Sequence, residues 1–440
     1  HFRGHIKADA RFNLNDTWRM GFNGERTTDQ TYLRKFNYLE KPSSQSLLMT
    51  RGYMEKFDKE NYTSLEMFDF QGLREQDINA EIPFILPLVE THIRTKPGWN
   101  NSYMTWDNHF SALHRRVGAD VTKGSTTGAW IWPKLFSGGQ KATTALKLRG
   151  DVYGFSDVTT AQHPSPPQNG TKARLMPSVS TTGEWPFMTH QYNTRIVLEP
   201  LVNLTASPME RYDAFPNEDS RTIELNDLNL LSQSRFAGLD HVDGGSRVSY
   251  GFNVGAYHER YGNGALFLGQ GYSVQKPSPF LEGTGFEKQL SDYVVRLKLD
   301  HQDWIKATSR ALMDRRTFAF HRQEFSTELG KPIARLSLSY VHLPKIKFDP
   351  HDQETKQITT RFSSHINDNW QADIHTTRDL SHRKGTLSHG VGAAYQDECF
   401  LLRLTLDRKY FKDRDISPGV TFMFRMVFKN LGDVQKSSSI

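Results

Sequence analysis

The side chains best equipped for chemistry in this sequence are 17 histidines, a single cysteine and a glycine-rich run, and each has a pattern its chemistry would require. Phe136-Ser137-Gly138-Gly139-Gln140-Lys141 has the make-up of the loop with which some ATPases read a nucleotide. That reading also needs a GxxxxGK[ST] loop, whose backbone N–H groups and lysine converge on the phosphates. No such segment occurs, so the run is expected to be a Gly-Gly hairpin turn. A zinc hydrolase would place two histidines one helical turn apart beside a glutamate, and the sequence has no His-Glu-x-x-His. A GxSxG elbow is absent too. A Ser/His/Asp or paired-carboxylate site stays open, because such sites are built from residues distant in sequence. Cys399 is the only cysteine, which excludes a disulfide framework or a thiolate zinc site within the chain. No cofactor is expected.

Whatever these side chains do, the elements that carry them are strands. Ile6, Ala8, Ala10 and Phe12 alternate with Lys7, Asp9 and Arg11, and Trp18, Met20 and Phe22 alternate with Arg19, Gly21 and Asn23. The pattern returns at Val248 to Ala256, Tyr293 to Asp300, Trp370 to His375, Leu402 to Asp407 and Val420 to Phe428. Period two puts apolar residues on one face of a strand and polar ones on the other. The segments start roughly every 20 residues, last about 8 to 12, and are separated by polar turns such as Asp58 to Asn61 and Asn367 to Asn369, which gives about 22 strands. Membrane-spanning strands need about 9 to 11 residues whereas strands of globular sheets average about five to six, so the length favours a large antiparallel transmembrane β-barrel over a sandwich.

Composition permits this. The 440 residues are 12% aromatic and 24% charged, which excludes a disordered chain. The mean hydropathy of -0.62 is low, as in a barrel that alternates apolar and polar residues. The longest run without a polar side chain, Ile82 to Val89, is too short for a spanning helix, which needs about 20 residues. A net charge of +6 points to anionic partners, although the basic residues are spread along the chain and no nucleic-acid partner is expected. The sequence opens at His1 without a signal segment and reads as a piece of a longer protein.

Face chemistry sharpens the choice. Charges cluster on one parity (Lys147, Arg149 and Asp151; Arg296, Lys298 and Asp300; Arg403 and Asp407) and aromatics gather near strand ends (Trp18, Tyr293, Trp304, Trp370, Tyr395, Tyr410). An Arg or Lys facing lipid at mid-bilayer would cost about 2–4 kcal/mol, so segregation by parity is what a barrel requires. Three stretches break the cadence and are expected to be extracellular loops or segments folded into the lumen: Ser156 to Tyr192, Ser207 to Gly245 and Gln275 to Leu290. Leu225 to Leu231 has weak helical character and reads as a short turn inside one of them. No linker divides the chain, so residues 1–440 read as one barrel domain with 207–245 as its long irregular segment.

Several segments resemble the lipopolysaccharide-assembly proteins of the outer membrane, the LptD (OstA/Imp) family, in the family's order. They are Asn13-Leu14-Asn15-Asp16-Thr17-Trp18-Arg19-Met20-Gly21-Phe22 with Thr31-Tyr32-Leu33-Arg34; Phe70-Gln71-Gly72-Leu73-Arg74 with Ile85-Leu86-Pro87-Leu88; Ser234-Arg235-Phe236-Ala237-Gly238-Leu239-Asp240 with Arg247-Val248-Ser249-Tyr250-Gly251; and Tyr395-Gln396-Asp397-Glu398-Cys399. Pro418-Gly419, a last apolar strand and Lys429-Asn430-Leu431-Gly432 close the match, which spans essentially the whole chain and is nearest to alphaproteobacterial members. The resemblance implies a Gram-negative outer-membrane translocon for lipopolysaccharide, not an enzyme. It implies a barrel of about 26 strands, a periplasmic jellyroll, a plug lipoprotein LptE in the lumen and a bridge protein LptA that delivers the lipid. The jellyroll and the first barrel strands are expected to lie outside this sequence.

Carried onto these residues, the family's lateral gate falls on the strand of Phe422, Phe424, Met426 and Phe428, whose apolar face would tolerate acyl chains, while Arg425 of opposite parity would meet phosphate or sugar. Cys399 matches the family's barrel cysteine that forms a disulfide with the jellyroll; with Glu398 where some members carry a second cysteine, at most one such bridge can form. The other reading of Cys399 is a buried inert thiol. Arg235, Phe236 and Asp240 are candidates for lumen packing against the plug. The competing reading of the whole chain is another large outer-membrane barrel, a TonB-dependent receptor or a porin.

Overall fold

The computed structural model describes residues 3–35, 47–158, 168–210, 215–222, 224–275, 283–345, 354–381, 384–412, 417–428 and 432–439. Among them one antiparallel sheet of 23 strands dominates, from His5–Asn13 to Gly432–Ser439, and with one exception its strands pair with their neighbours in sequence. Two of the 23, Gln168–Glu184 and Phe187–Gln191, are halves of one run: both pair with Thr194–Ala206, and only Trp185 and Pro186 separate them. Counted as one they bring the wall to the expected 22. No helix among the described residues is long and apolar enough to cross a membrane.

Alternation sets the faces as expected. On Lys141–Val158, Leu146, Leu148 and Val152 project outward and exposed, while Asp151 and Tyr153 are buried on the inner side. Phe252, Leu266, Leu268, Leu297 and Leu299 continue the exposed apolar band around the wall. Such a band is intelligible only if its solvent is lipid.

The connections differ between the two ends. At one end the hairpins are tight: Phe136 N–H bonds Gln140 O at 2.9 Å, with Gly139 at φ +82°, so the glycine-rich run is the expected turn. At the other end lie the long segments, including 207–246 and 274–292. Short turns mark the periplasmic end of a barrel and long loops the extracellular end. All eight tryptophans stand at or near the short-turn end, Trp18 and Trp370 at the starts of strands there and Trp304 in the turn before one, whereas Tyr293 and Tyr410 lie at the other. The girdle is therefore two-sided in tyrosine and one-sided in tryptophan.

Three expectations need correction. The stretch Ser156 to Tyr192 is mostly sheet: Gln168–Glu184 runs antiparallel to Lys141–Val158 across almost its full length. Its proline-rich part, 159–167, lies outside the described residues. Pro177 falls where residues 168–178 pair on one side only, the edge-like position in which a sheet accommodates proline. Secondly, strand lengths reach 16, 18 and 17 residues at Asp120–Leu135, Lys141–Val158 and Gln168–Glu184, beyond what spanning demands. Thirdly, the sheet does not end at Phe428: Gly432–Ser439 adds a further strand alongside Gly419–Phe428. That strand and His5–Asn13 are the two edges, and no pairing joins them among the described residues.

Candidate functional site

The inward face of the wall is built by strand parity, and what it meets is the insertion from Ser207 to Ser246, between the strands Thr194–Ala206 and Arg247–His258. This segment carries eight Asp or Glu against three Arg, an acidic island in a chain of net charge +6. Its carboxylates meet basic side chains arriving from strands and rim segments far apart in sequence.

Lys123, on Asp120–Leu135, donates to Asp240 Oδ1 at 2.6 Å and to Asp219 Oδ2 at 3.3 Å, and the Tyr153 hydroxyl donates to Asp240 Oδ1 at 3.0 Å. Asp240 Oδ2 accepts the backbone N–H groups of Glu218 and Asp219 at 2.7 and 2.9 Å. Asp219 Oδ1 in turn accepts those of Leu239 and Asp240 at 2.9 and 2.8 Å, so the two carboxylates tie two passes of the insertion together. Burial would raise the Asp219 carboxyl, but the Lys123 ammonium and these N–H groups outweigh it and hold it down to about 2. Gly238 makes the crossing possible: its φ is +87°, and a Cβ would stand 2.4 Å from the backbone oxygen of Asp219.

Arg235 clasps Asp243 with Nε and Nη2 at 2.8 and 2.9 Å while its backbone N–H bonds the same carboxylate at 3.0 Å. Arg247 joins from the following strand at 2.7 Å, and the Arg235 guanidinium lies 5.0 Å from the Phe286 ring centre. Burial opposes the charge on Asp243, yet the two guanidiniums keep its carboxyl below the usual range. Phe236 is buried in an apolar cluster that joins Leu225 and Leu230 of the insertion to Phe267, Val294 and Leu312 of the wall. Leu225 to Leu231 holds a short turn, as expected, closed by Leu230 N–H on Asn226 O at 3.1 Å.

The remaining contacts complete the ring. Arg115 holds Glu218 with two N–H groups at 3.2 and 2.5 Å, Arg174 bridges Asp151 and Glu210, and Arg322 meets Glu224. Arg296 and Arg310 both bind Asp227, at 2.9 and 3.1 Å. Removing one member of a buried pair costs about 3–5 kcal/mol because the other charge is stranded, so the insertion is clamped to the wall. Between them lies a cavity of about 470 Å³, lined among others by Glu90, His92, Asp107, His109, Lys147, Arg149 and His241. Its lining is charged and amide-bearing, and its size falls within the range of small-molecule sites, about 300–1,000 Å³.

The site residues named from sequence fall in three places. Arg235, Phe236 and Asp240 lie together in the clamp, all buried. Phe422, Phe424, Met426 and Phe428 share the outer face of Gly419–Phe428, while Arg425 sits opposite Arg403 on the inner face. Cys399 is exposed, not buried, in the turn between Gly385–Gln396 and Phe400–Lys409 at the short-turn end. The wall cations Arg115, Lys123, Arg174, Arg296, Arg310 and Arg322 were not singled out from sequence as partners of the insertion. The excess of acid within 207–246 was the available signal.

An antiparallel wall of 22 strands with an apolar exterior, a charged interior, short turns at one end and long loops at the other defines a large outer-membrane β-barrel. The chain belongs to a specific family of them: the model of the LPS transport system D family, LptD, matches residues 1–370. It is 21% identical over 433 residues to the LPS-assembly protein LptD of Shewanella oneidensis, covering 93% of this chain and 54% of that protein. The chain thus spans about half the length of the curated relative it matches. Among solved structures, the siderophore receptor PirA from Acinetobacter baumannii aligns over 99% of this chain and 78% of its own, with a TM-score of 0.44 and 11% identity. The copper transporter OprC aligns over 99% and 73%, with a TM-score of 0.42 and 9% identity. The chain is an integral protein of the outer membrane.

Proposed function

We propose that this barrel is the outer-membrane translocon that inserts lipopolysaccharide into the outer leaflet, acting as a transporter and not as an enzyme. Membership of the LPS transport system D family carries the reading. Lipopolysaccharide is amphiphilic, so its sugars need a polar passage while its acyl chains need lipid. A wall with a charged lumen and an apolar exterior offers both, provided that a seam can part.

The strand of Phe422, Phe424, Arg425, Met426 and Phe428 borders that seam. With Gly432–Ser439 outside it, the gate is a two-strand flap, and the outer of the two makes ladder bonds on one side only among the described residues. Phe422 and Phe428, exposed outward, would contact acyl chains, and Arg425 would face the sugar or phosphate on the inner side. The exposed Cys399, at the periplasmic end, is accessible to a thiol of a periplasmic domain. A plug lipoprotein of the LptE type would rest on the insertion that Arg235, Phe236 and Asp240 hold in place, and a bridge protein of the LptA type would deliver the lipid.

The test is extraction of the full-length protein from its native outer membrane in mild detergent, with co-purifying partners identified by mass spectrometry. A small lipoprotein near one copy per barrel, together with bound lipopolysaccharide, is expected. A periplasmic energy-coupling protein in their place would overturn the reading in favour of a receptor.

A further inference from the structure

Outside the lumen clamp, the extracellular rim brings together three metal-ligating side chains that the transport reading does not use. We propose that Asp292, Asp314 and His321 form a binding site for a divalent transition-metal ion of the zinc type. One ligand atom from each lies within 4.8 Å of the other two. Metal–ligand bonds of about 2.0–2.2 Å set tetrahedral ligand atoms about 3.4 Å apart, so a small inward movement completes the set.

The decisive atom is Asp292 Oδ1. Asp292 is only 3% exposed, and this oxygen is sealed from solvent and has no hydrogen-bond partner among the described residues. A buried carboxylate oxygen left bare is costly, and an ion is one of the few things that satisfies it. The other oxygen of Asp292 meets His321 Nδ1 at 2.9 Å. Asp314 Oδ1 accepts the N–H groups of Arg316 and Thr317 at 2.9 and 2.8 Å. Its Oδ2 lies 3.8 Å from His321 Nε2, the ring nitrogen away from Asp292, so the ring or the Asp314 carboxylate must turn for both carboxylates to share one ion with the imidazole. Two carboxylates against one imidazole give the cluster net negative charge whenever the histidine is neutral, which favours a cation.

The donor set selects the metal. One nitrogen and two carboxylates suit zinc-like ions, whereas calcium and magnesium prefer oxygen alone. His321 remains 43% exposed, which leaves the outward position to water. Asp292 is held in place because Ser291 N–H bonds Gly271 O at 2.8 Å and Val294 is packed in the cluster beneath the rim. Bound metal would join the loop 314–319 to the segment preceding Tyr293–His301, directly above the apolar cluster that seats the insertion.

The full-length protein, stripped with a chelator and purified in detergent, is titrated with Zn²⁺ by calorimetry. Asp314→Asn and His321→Gln are compared with the parent; the asparagine keeps Oδ1 as the turn acceptor, and heat-modifiable migration confirms that each variant is folded. The parent is expected to bind one equivalent more than either variant, or to bind it at least about tenfold more tightly. Equal stoichiometry and affinity in parent and variants, or no binding of Zn²⁺ by the parent, would overturn the site.

Discussion

Lys123 shows what a single residue does in this molecule. It is 3% exposed, reaches Asp240 at 2.6 Å and Asp219 at 3.3 Å, and joins the wall to both passes of the insertion. Lys123→Met would leave both carboxylates without their cation, and we expect a loss of about 3 kcal/mol. The loss is read as a lower thermal midpoint of the full-length protein and as protease cleavage between residues 207 and 246. Asp219 supplies the pH counterpart. Its carboxyl is depressed to about 2, so its contribution to stability is complete above the ordinary value of 3.8 and fades as pH falls through about 2. The thermal midpoint of the parent should therefore decline between pH 4 and 2 more steeply than that of Asp219→Asn, and parallel curves would contradict the assignment. At this scale the sequence was partly legible. Arg235, Phe236 and Asp240 could be picked out, but not that Arg235 would bind Asp243 eight positions on, or that Asp240 would find a lysine 117 positions before it. Such partners depend on sheet curvature and register, which alternation alone does not specify.

Among the elements, the insertion matters most. Seven basic side chains of the wall and rim, Arg115, Lys123, Arg174, Arg247, Arg296, Arg310 and Arg322, bind carboxylates that belong to it. Replacing residues 209–245 by a short Gly-Ser linker should leave a wall with an emptied and strongly basic lumen. Single-channel recording in planar bilayers would then show larger conductance and a shift toward anion selectivity, while unchanged conductance would mean that the insertion does not fill the passage. The insertion was visible in the sequence as a break in period two. Gln168–Glu184 was not, because its serines and threonines mute the alternation and the neighbouring prolines suggested a loop. Gly432–Ser439 was missed for a similar reason: its Asp433, Gln435, Lys436 and Ser437 to Ser439 offer no apolar face, and only pairing with Gly419–Phe428 makes it a strand.

For the whole molecule, the consequence of the architecture is that lipid is its solvent. Leu148 is about half exposed near the middle of an 18-residue strand. Leu148→Arg should cost about 2–4 kcal/mol if it lies near the bilayer midplane, measured as a shifted denaturant midpoint for folding into vesicles. Substituting the inward Thr127 by Arg should cost less, because its side chain lines the aqueous cavity. The fold class was legible from period, segment length and parity together, since each independently requires a face for lipid and a face for water. The most direct test of the transport account is to deplete the full-length protein in its native cell and follow pulse-labelled lipopolysaccharide to the cell surface with a membrane-impermeant probe. The account predicts that newly made lipopolysaccharide stops reaching the outer leaflet and accumulates behind it. Undiminished surface labelling after depletion would contradict it.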